Sequence, residues 1–405
     1  MTHNNRCSLA MALSVVSLPG LLTGQTTRPE AFSASNSVPA AFVYVQTRDG
    51  VIAYNASSAV RLTLIKGSPF GTSGQMAGDN GGYLISTGTD YIHSYKVESN
   101  GAIGGQASEI NTQSYGGADC GTTDGQGAIL DHSGKYFYVQ LYGATYEDGG
   151  ETYVKCSAWQ SYKISSSGQF TFLGDQVSDY GYHGDAFSVP VNTIGSNDKF
   201  AYGSFGDVYA SQYDPFTINS NGELVTNNKF TETDPTPGGP DGNYYPVSMA
   251  ADPSGHLAVA VFEYFAQNPP PTQLASYTIN SGGGITSTNT YADMPTPALT
   301  YCCGVMSMST SGKLVAVTGS TGMQVFHFNG ASPITALSSV LLPSETVKYI
   351  SWDNSNHMYA LASTGATSFS LHVFNATSTS LAELTGSPYS VSNVYGLDAL
   401  IVVPK

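Results

Sequence analysis

Charge is what this chain has least of. Only 11% of its 405 residues are Asp, Glu, Lys or Arg, against about 25% in ordinary globular proteins. Lys and Arg together number 14 against 29 acids, for a formal charge of −15. Binding to a phosphate backbone or an anionic membrane surface needs clustered cations, so nucleic acid and such surfaces are excluded as partners. The five cysteines include no CxxC pair and no Cys/His group at zinc spacing, and no metal or cofactor is expected. Walker, Rossmann and GxSxG motifs are missing in usable context. Helical periodicity of useful length is also missing, and beyond the N-terminus no apolar run approaches the ~20 residues of a membrane span. Disorder is excluded by 41% hydrophobic and 11% aromatic residues. Polarity comes instead from Ser, Thr, Asn and 45 Gly.

The N-terminus has the layout of an export signal. Arg6 is followed by an apolar stretch from Ser8 to Leu22, and Leu22-Thr23-Gly24 offers a cleavage site before Gln25. The expected organisation is a signal peptide over 1–24, a polar leader over 25–40, and one domain over 41–405. A secreted, periplasmic or cell-envelope location follows. Removal of the leader takes Cys7 with it and leaves Cys120, Cys156, Cys302 and Cys303. An even count in an oxidising compartment suggests disulfides.

An internal repeat dominates the rest. One motif recurs as YKVESNGAI from Tyr95, YKISSSGQF from Tyr162, FTINSNGEL from Phe216 and YTINSGGGI from Tyr277, with looser copies from Ile52, Phe326 and His372. A second runs out of phase with it: AILDHSGKYFYV from Ala128, VSMAADPSGHLAVAVF from Val247, VMSMSTSGKLVAV from Val305. Both read as strand, tight turn, strand; in Asp-Pro-Ser-Gly, proline presets φ and glycine accepts positive φ. Gly67-Ser68-Pro69-Phe70 and Gly386-Ser387-Pro388-Tyr389 lie 319 residues apart, which is six steps of about 53 residues, near the length of a four-stranded propeller blade. The first unit lacks its first strand, and Val394 to Val403 is a surplus one. The expected fold is therefore all-β: a seven-bladed β-propeller of four-stranded antiparallel blades, its ring closed by the C-terminal strand joining the first blade.

The combination DPSGHLAVAVF, SYTINSGGGI and GSPF resembles the exported lactonase-type, or YVTN-repeat, propellers. That family includes the propeller 6-phosphogluconolactonases and fungal carboxy-muconate cyclases, and the resemblance runs from about residue 40 to the end. It implies lactone-ring hydrolysis or formation in the central channel without a metal. The enzymes of the family carry His-rich, acidic segments entering the inner strands. Here the matching stretches are Gly125-Gln126-Gly127-Ala128 and Tyr182-His183-Gly184-Asp185, and only the second holds a His beside an acid. A phosphate ligand would want Arg/Lys pairs, which this chain barely has.

Short uniform turns on one rim and long variable loops on the other mark the second as the binding face. Residues entering the inner strands there are Gln75, Asp124, His183, Asp185, Tyr245, Tyr301, Cys303, Lys348, Tyr395 and Asp398. Lactone hydrolysis needs a base to activate water and donors for the carbonyl oxygen. His183 is the candidate base, Asp185 its orienter, and Lys348 with Tyr301 or Tyr395 the oxyanion donors; an ordinary loop and channel packing remain the alternative. Cys120 and Cys156 both map to the long-loop rim of the third unit and are expected to pair. Cys302 and Cys303 are open between a vicinal disulfide and two separate thiols. Acidic loops at Asp148–Glu151 and Asp234/Asp241 are open between calcium and plain solvation. The expected function is a monomeric exported lactonase acting on a small lactone; the alternative is a non-catalytic propeller presenting its long-loop face to a glycan or protein.

Overall fold

The computed structural model describes residues 40–405, apart from 58–60, 89, 113–124, 143–144, 149–150, 155–156, 179–190, 196, 205–212, 236–243, 264–270 and 397–398. All described elements are strands. They form seven antiparallel blades of four strands arranged as a β-propeller.

In blade 1 the order from outside in is Leu62–Leu64, Gly50–Ala56, Ala41–Thr47 and Leu400–Pro404. Each other blade runs outward in chain order. The innermost strands of blades 2 to 7 are Gln75–Asp79, Gly125–Leu130, Val191–Ile194, Tyr244–Ala251, Met306–Met308 and Thr346–Trp352. Each innermost strand touches the next, and Thr346–Trp352 touches Leu400–Pro404, which touches Gln75–Asp79. The ring is closed. Closure is made by the C-terminal strand, with Ala41 opposite Pro404 and Val45 opposite Leu400. The strand itself is shorter than the surplus segment read from the sequence; upstream, the Thr47–Val394 bridge and backbone hydrogen bonds from Gln46 N to Ala399 O, Tyr395 N to Gln46 O and Arg48 N to Asn393 O continue the pairing. Local additions decorate the plan. A hairpin of Thr145–Asp148 and Glu151–Val154 stands in blade 3, and Glu232–Thr233 pairs in parallel with the outer strand of blade 5.

The core is seven separate layers, one between each pair of adjacent blades. Alternation along Ala41–Thr47 shows why: Ala41, Val43 and Val45 pack against blade 7, while Phe42 and Tyr44 pack against blade 2. A strand buried on both sides reads as a continuous apolar run. Between the third and fourth strands of blades 2 to 5, the NSxG-type turns place Gly101, Gly168, Gly222 and Gly283 at positive φ. These turns also lock neighbouring blades. Tyr44 Oη donates to the Gly101 carbonyl (3.0 Å), Ser94 Oγ to Gly168 (2.7 Å) and Tyr202 Oη to Gly283 (2.8 Å), each across a blade boundary.

Candidate functional site

An innermost strand pairs on one side only, so its other edge borders the central channel. Lys348 is the only cation in the seven innermost strands, and Asp79 the only acid. The two occupy opposite ends of their strands.

Five of these strands share an irregularity near their entry. Pairing with the second strand skips one residue at Ala77, Gln126, Asn192, Val247 and Lys348, in blades 2, 3, 4, 5 and 7. A bulge opposes two residues to one and redirects a side chain. Blade 7 shows the consequence. Val347, Ile350 and Trp352 pack against blade 6, and Tyr349 packs against blade 1. Strict alternation would put Val347 and Tyr349 on the same face. The extra residue, Lys348, lets both be buried on opposite faces and belongs to neither. It is exposed. Val247 repeats the arrangement in blade 5: it is 37% exposed, while Met249 packs against blade 4 and Ser248 Oγ donates to the Cys303 carbonyl of blade 6 at 3.0 Å.

The setting of Lys348 is fixed on both sides. Tyr349 Oη donates to the Gly396 carbonyl at 2.5 Å, and Thr346 Oγ1 to the Ser320 carbonyl at 3.2 Å. The nearest acid in sequence, Glu345, is committed elsewhere: its Oε2 lies 3.2 Å from His372 Nε2. His372 Nδ1 lies 2.8 Å from Glu383 Oε1, which also accepts from Ser387 Oγ at 2.8 Å. Among the described residues Lys348 makes no ion pair.

The other expected residues sort by exposure. Tyr301 is 87% exposed and Tyr395 48%, whereas Tyr245 is buried with its ring 5.9 Å from Phe262. The Arg48 guanidinium lies 5.8 Å over the Tyr395 ring. Gln75 abuts Gly396. Cys302 and Cys303 form an adjacent bonded pair; Cys303 is buried, and the Cys302 carbonyl accepts from Thr272 Oγ1 at 3.1 Å. His183, Asp185, Asp124, Asp398, Cys120 and Cys156 lie outside the described residues.

Carboxylates at the opposite, short-turn rim serve the fold. Asp252 accepts from Ser254 N (2.9 Å) and His256 N (2.8 Å), and Asp353 from Ser355 N (2.8 Å) and His357 N (2.9 Å). Burial pushes both acids up, but these donors, with Ser254 Oγ at Asp252 and the His357 ring at Asp353, outweigh it and hold both below the usual carboxylate range. Asp79 behaves differently. Burial pushes it up to about 6, against the opposing pull of the Gly81 N–H and of Lys405.

The sequence carries no trace of the bulges: Tyr349 and Ile350 face opposite sides, as successive residues of any strand do, and only the pairing register shows that Val347 and Tyr349 do so too.

The sequence matches no protein-family model and no curated protein. Solved structures do resemble the fold. A periplasmic gluconolactonase from Pseudomonas aeruginosa aligns with a TM-score of 0.58 at 14% identity, over 90% of this chain and 99% of that one. A protein from Lactobacillus plantarum aligns with a TM-score of 0.51 at 13% identity, over the same shares of the two chains. At such identity the likeness is one of fold.

Proposed function

We propose that this protein is an exported, lactonase-type propeller hydrolase that opens a small neutral or weakly charged lactone at the long-loop end of its central channel. The observation that carries this is Lys348: the single cation of the innermost strands, set outside both packed faces by a bulge and free of ion pairs among the described residues. An ammonium there suits a carbonyl oxygen that gains charge as water attacks. His183 is the proposed base that activates the water, with Asp185 orienting it. The P. aeruginosa gluconolactonase shares the fold, and its periplasmic location agrees with the export signal read at residues 1–24.

The test is hydrolysis of a panel of five- and six-membered lactones by purified protein, with Lys348→Met and His183→Ala alongside. Turnover lowered on the order of 100-fold or more in each variant supports the assignment. Equal rates in wild type and variants overturn it.

One observation favours a second reading, a glycan- or protein-binding propeller. Tyr301 and Tyr395 are both well exposed at entries to inner strands on the same rim, and exposed tyrosine is the residue type that interfaces enrich. Binding without turnover, lost in a Tyr301→Ala/Tyr395→Ala double variant, would decide for it.

A further inference from the structure

We infer that the short-turn rim over blades 3 to 6 is a docking surface for an acidic polysaccharide, a polymer that carries one carboxylate per sugar. This surface lies on the opposite rim from the channel mouth and goes beyond the function proposed above, on which it does not depend.

Four lysines carry it. The turn between the first two strands of blades 3, 4 and 6 ends on Lys135, Lys199 and Lys313, each immediately before the second strand. Each lysine carbonyl accepts from the end of its blade's third strand: Lys135 from Ile164 N (2.7 Å), Lys199 from Ile218 N (2.7 Å) and Lys313 from Phe328 N (2.9 Å). The three therefore hold one structural position. Blades 5 and 7 make this turn one residue shorter, closing Asp252 N onto His256 O and Asp353 N onto His357 O, where blade 3 closes Asp131 N onto Tyr136 O. Lys163 pairs opposite Tyr136 and so stands beside Lys135. All four lysines are exposed, and none makes an ion pair among the described residues.

Nearby acids are already engaged. Asp131 accepts from Tyr136 N at 2.8 Å, Asp198 lies 2.7 Å from His132 Nδ1, Glu98 lies 3.3 Å from Lys96 Nζ, and Asp252 and Asp353 cap their own turns. The surface between the lysines is continuous. The His132–Asp198 contact joins the turns of blades 3 and 4, Ala251 N donates to Thr193 Oγ1 (3.0 Å) between blades 4 and 5, and a Cβ on Gly312 of blade 6 would lie 2.5 Å from Pro253 of blade 5. The four lysines are far apart in the chain, so the sequence shows no cluster; the repeat gathers them on one rim.

The chemistry of the occupant follows. Lysine is a point charge that suits a single carboxylate, whereas phosphate recognition favours the arginine fork, and none of these turns carries an arginine. A net charge of −15 opposes a polymer as densely charged as DNA, with about one charge per 1.7 Å, more than one whose charges stand a sugar apart. Between the lysines the turns expose Ser133, Asn197, Ser254 and Ser311, residue types that hydrogen-bond sugar hydroxyls.

The experiment is biolayer interferometry of the full-length mature protein on immobilised polygalacturonate at about 20 mM salt, where screening is weak. Neutral dextran, double-stranded DNA and phosphatidylglycerol vesicles are run beside it. The variants are the quadruple Lys135→Gln/Lys163→Gln/Lys199→Gln/Lys313→Gln, the same four positions changed to Arg, and Lys348→Met on the other rim. Three results together support the surface: wild type binds polygalacturonate in preference to dextran, affinity falls as salt rises, and binding weakens at least about tenfold in the glutamine variant while staying within about threefold in the arginine variant and in Lys348→Met. Undiminished binding in the glutamine variant, loss of binding in the arginine variant or in Lys348→Met, equal binding to dextran, tighter binding to DNA or to the vesicles, or no polygalacturonate binding by correctly folded wild type overturns it. Circular dichroism of each variant checks folding. Should the quadruple glutamine variant not fold, the double Lys135→Gln/Lys199→Gln variant is read the same way, with a loss of about threefold expected.

Discussion

Tyr202 of blade 4 donates its hydroxyl to the carbonyl of Gly283 in blade 5, at 2.8 Å within a buried boundary. The same glycine sits at φ +85, and a Cβ on it would lie 2.5 Å from Phe200 Cδ1 and 2.7 Å from Asn227 Nδ2. The repeat motif therefore fixes more than a turn. Its glycine lets one blade close against the next, and its carbonyl receives the neighbour's hydrogen bond.

Gly283→Ala is expected to destabilise the protein by about 2–4 kcal/mol, combining the left-handed backbone with an overpacked contact. Tyr202→Phe should cost about 1–3 kcal/mol, because it leaves the buried Gly283 carbonyl without that donor. Gly105→Ala is the control: nothing lies within 4 Å of the added methyl, and its effect should stay within about 0.5 kcal/mol. Urea midpoints of the three variants check the order. A Gly283→Ala protein as stable as Gly105→Ala would refute the account.

Ring closure gives a second expectation. Leu400–Pro404 is the innermost strand of blade 1 and contacts both neighbouring innermost strands. Deleting residues 399–405 removes this strand and exposes the unpaired edge of Ala41–Thr47. The truncated chain should fail to fold, or melt at far lower temperature, and should aggregate. A melting temperature equal to that of the full chain would show that closure contributes nothing.

These features differ in how openly the sequence announces them. Asp252-Pro253-Ser254-Gly255 and Asn280-Ser281-Gly282-Gly283 are legible because each residue type has one conformational reason to be there. The missing first strand and surplus last strand were legible as a matching deficit. The bulges were not, because Ala77, Val247 and Lys348 share no chemistry; what they share is a position where two opposite faces must both be filled. Lys348 could be named as a channel residue from its place before an inner strand. That it stands outside both packed faces depends on the pairing register, which composition does not encode. Likewise Tyr245 and Tyr301 look equivalent in sequence, yet one is packed beside Phe262 and the other stands 87% exposed.

Asp79 sets a pH dependence. Its carboxyl is pushed by burial from 3.8 up to about 6, so the folded state holds the proton more tightly than the unfolded chain does. Ionisation therefore costs stability; the cost develops as pH rises from about 4 to about 6 and is constant above that. Asp79→Asn removes it while keeping a side-chain oxygen to accept from Gly81 N, now 2.6 Å from Asp79 Oδ1. The variant should be more stable than wild type by about 1–3 kcal/mol at pH 7.5 and no more stable at pH 4. Melting curves at the two pH values check this, and a gain that is equal at both would count against an ionisation origin.

Tyr301 offers the sharpest contrast between stability and use. It is a bulky residue at φ 48, where only glycine is at ease, and its side chain is 87% exposed, so burial does not offset the strain. The flanking chain holds it there: the Thr300 carbonyl accepts from Ser320 N at 2.8 Å, and the Cys302 and Cys303 carbonyls accept from Thr272 and Ser248. The left-handed conformation costs a residue with a Cβ about 1–2 kcal/mol. Glycine removes that cost but adds about 0.4–1 kcal/mol of unfolded-state entropy. Tyr301→Gly should therefore be neutral to about 1 kcal/mol more stable than wild type, whereas Tyr301→Ala keeps the Cβ and should gain nothing. If the aromatic ring contacts ligand at the channel mouth, both variants should weaken ligand binding together, whatever their stability. Urea unfolding gives the first comparison and KM for a hydrolysed lactone the second. A Tyr301→Ala protein more stable than Tyr301→Gly would show that the backbone at this position carries no strain.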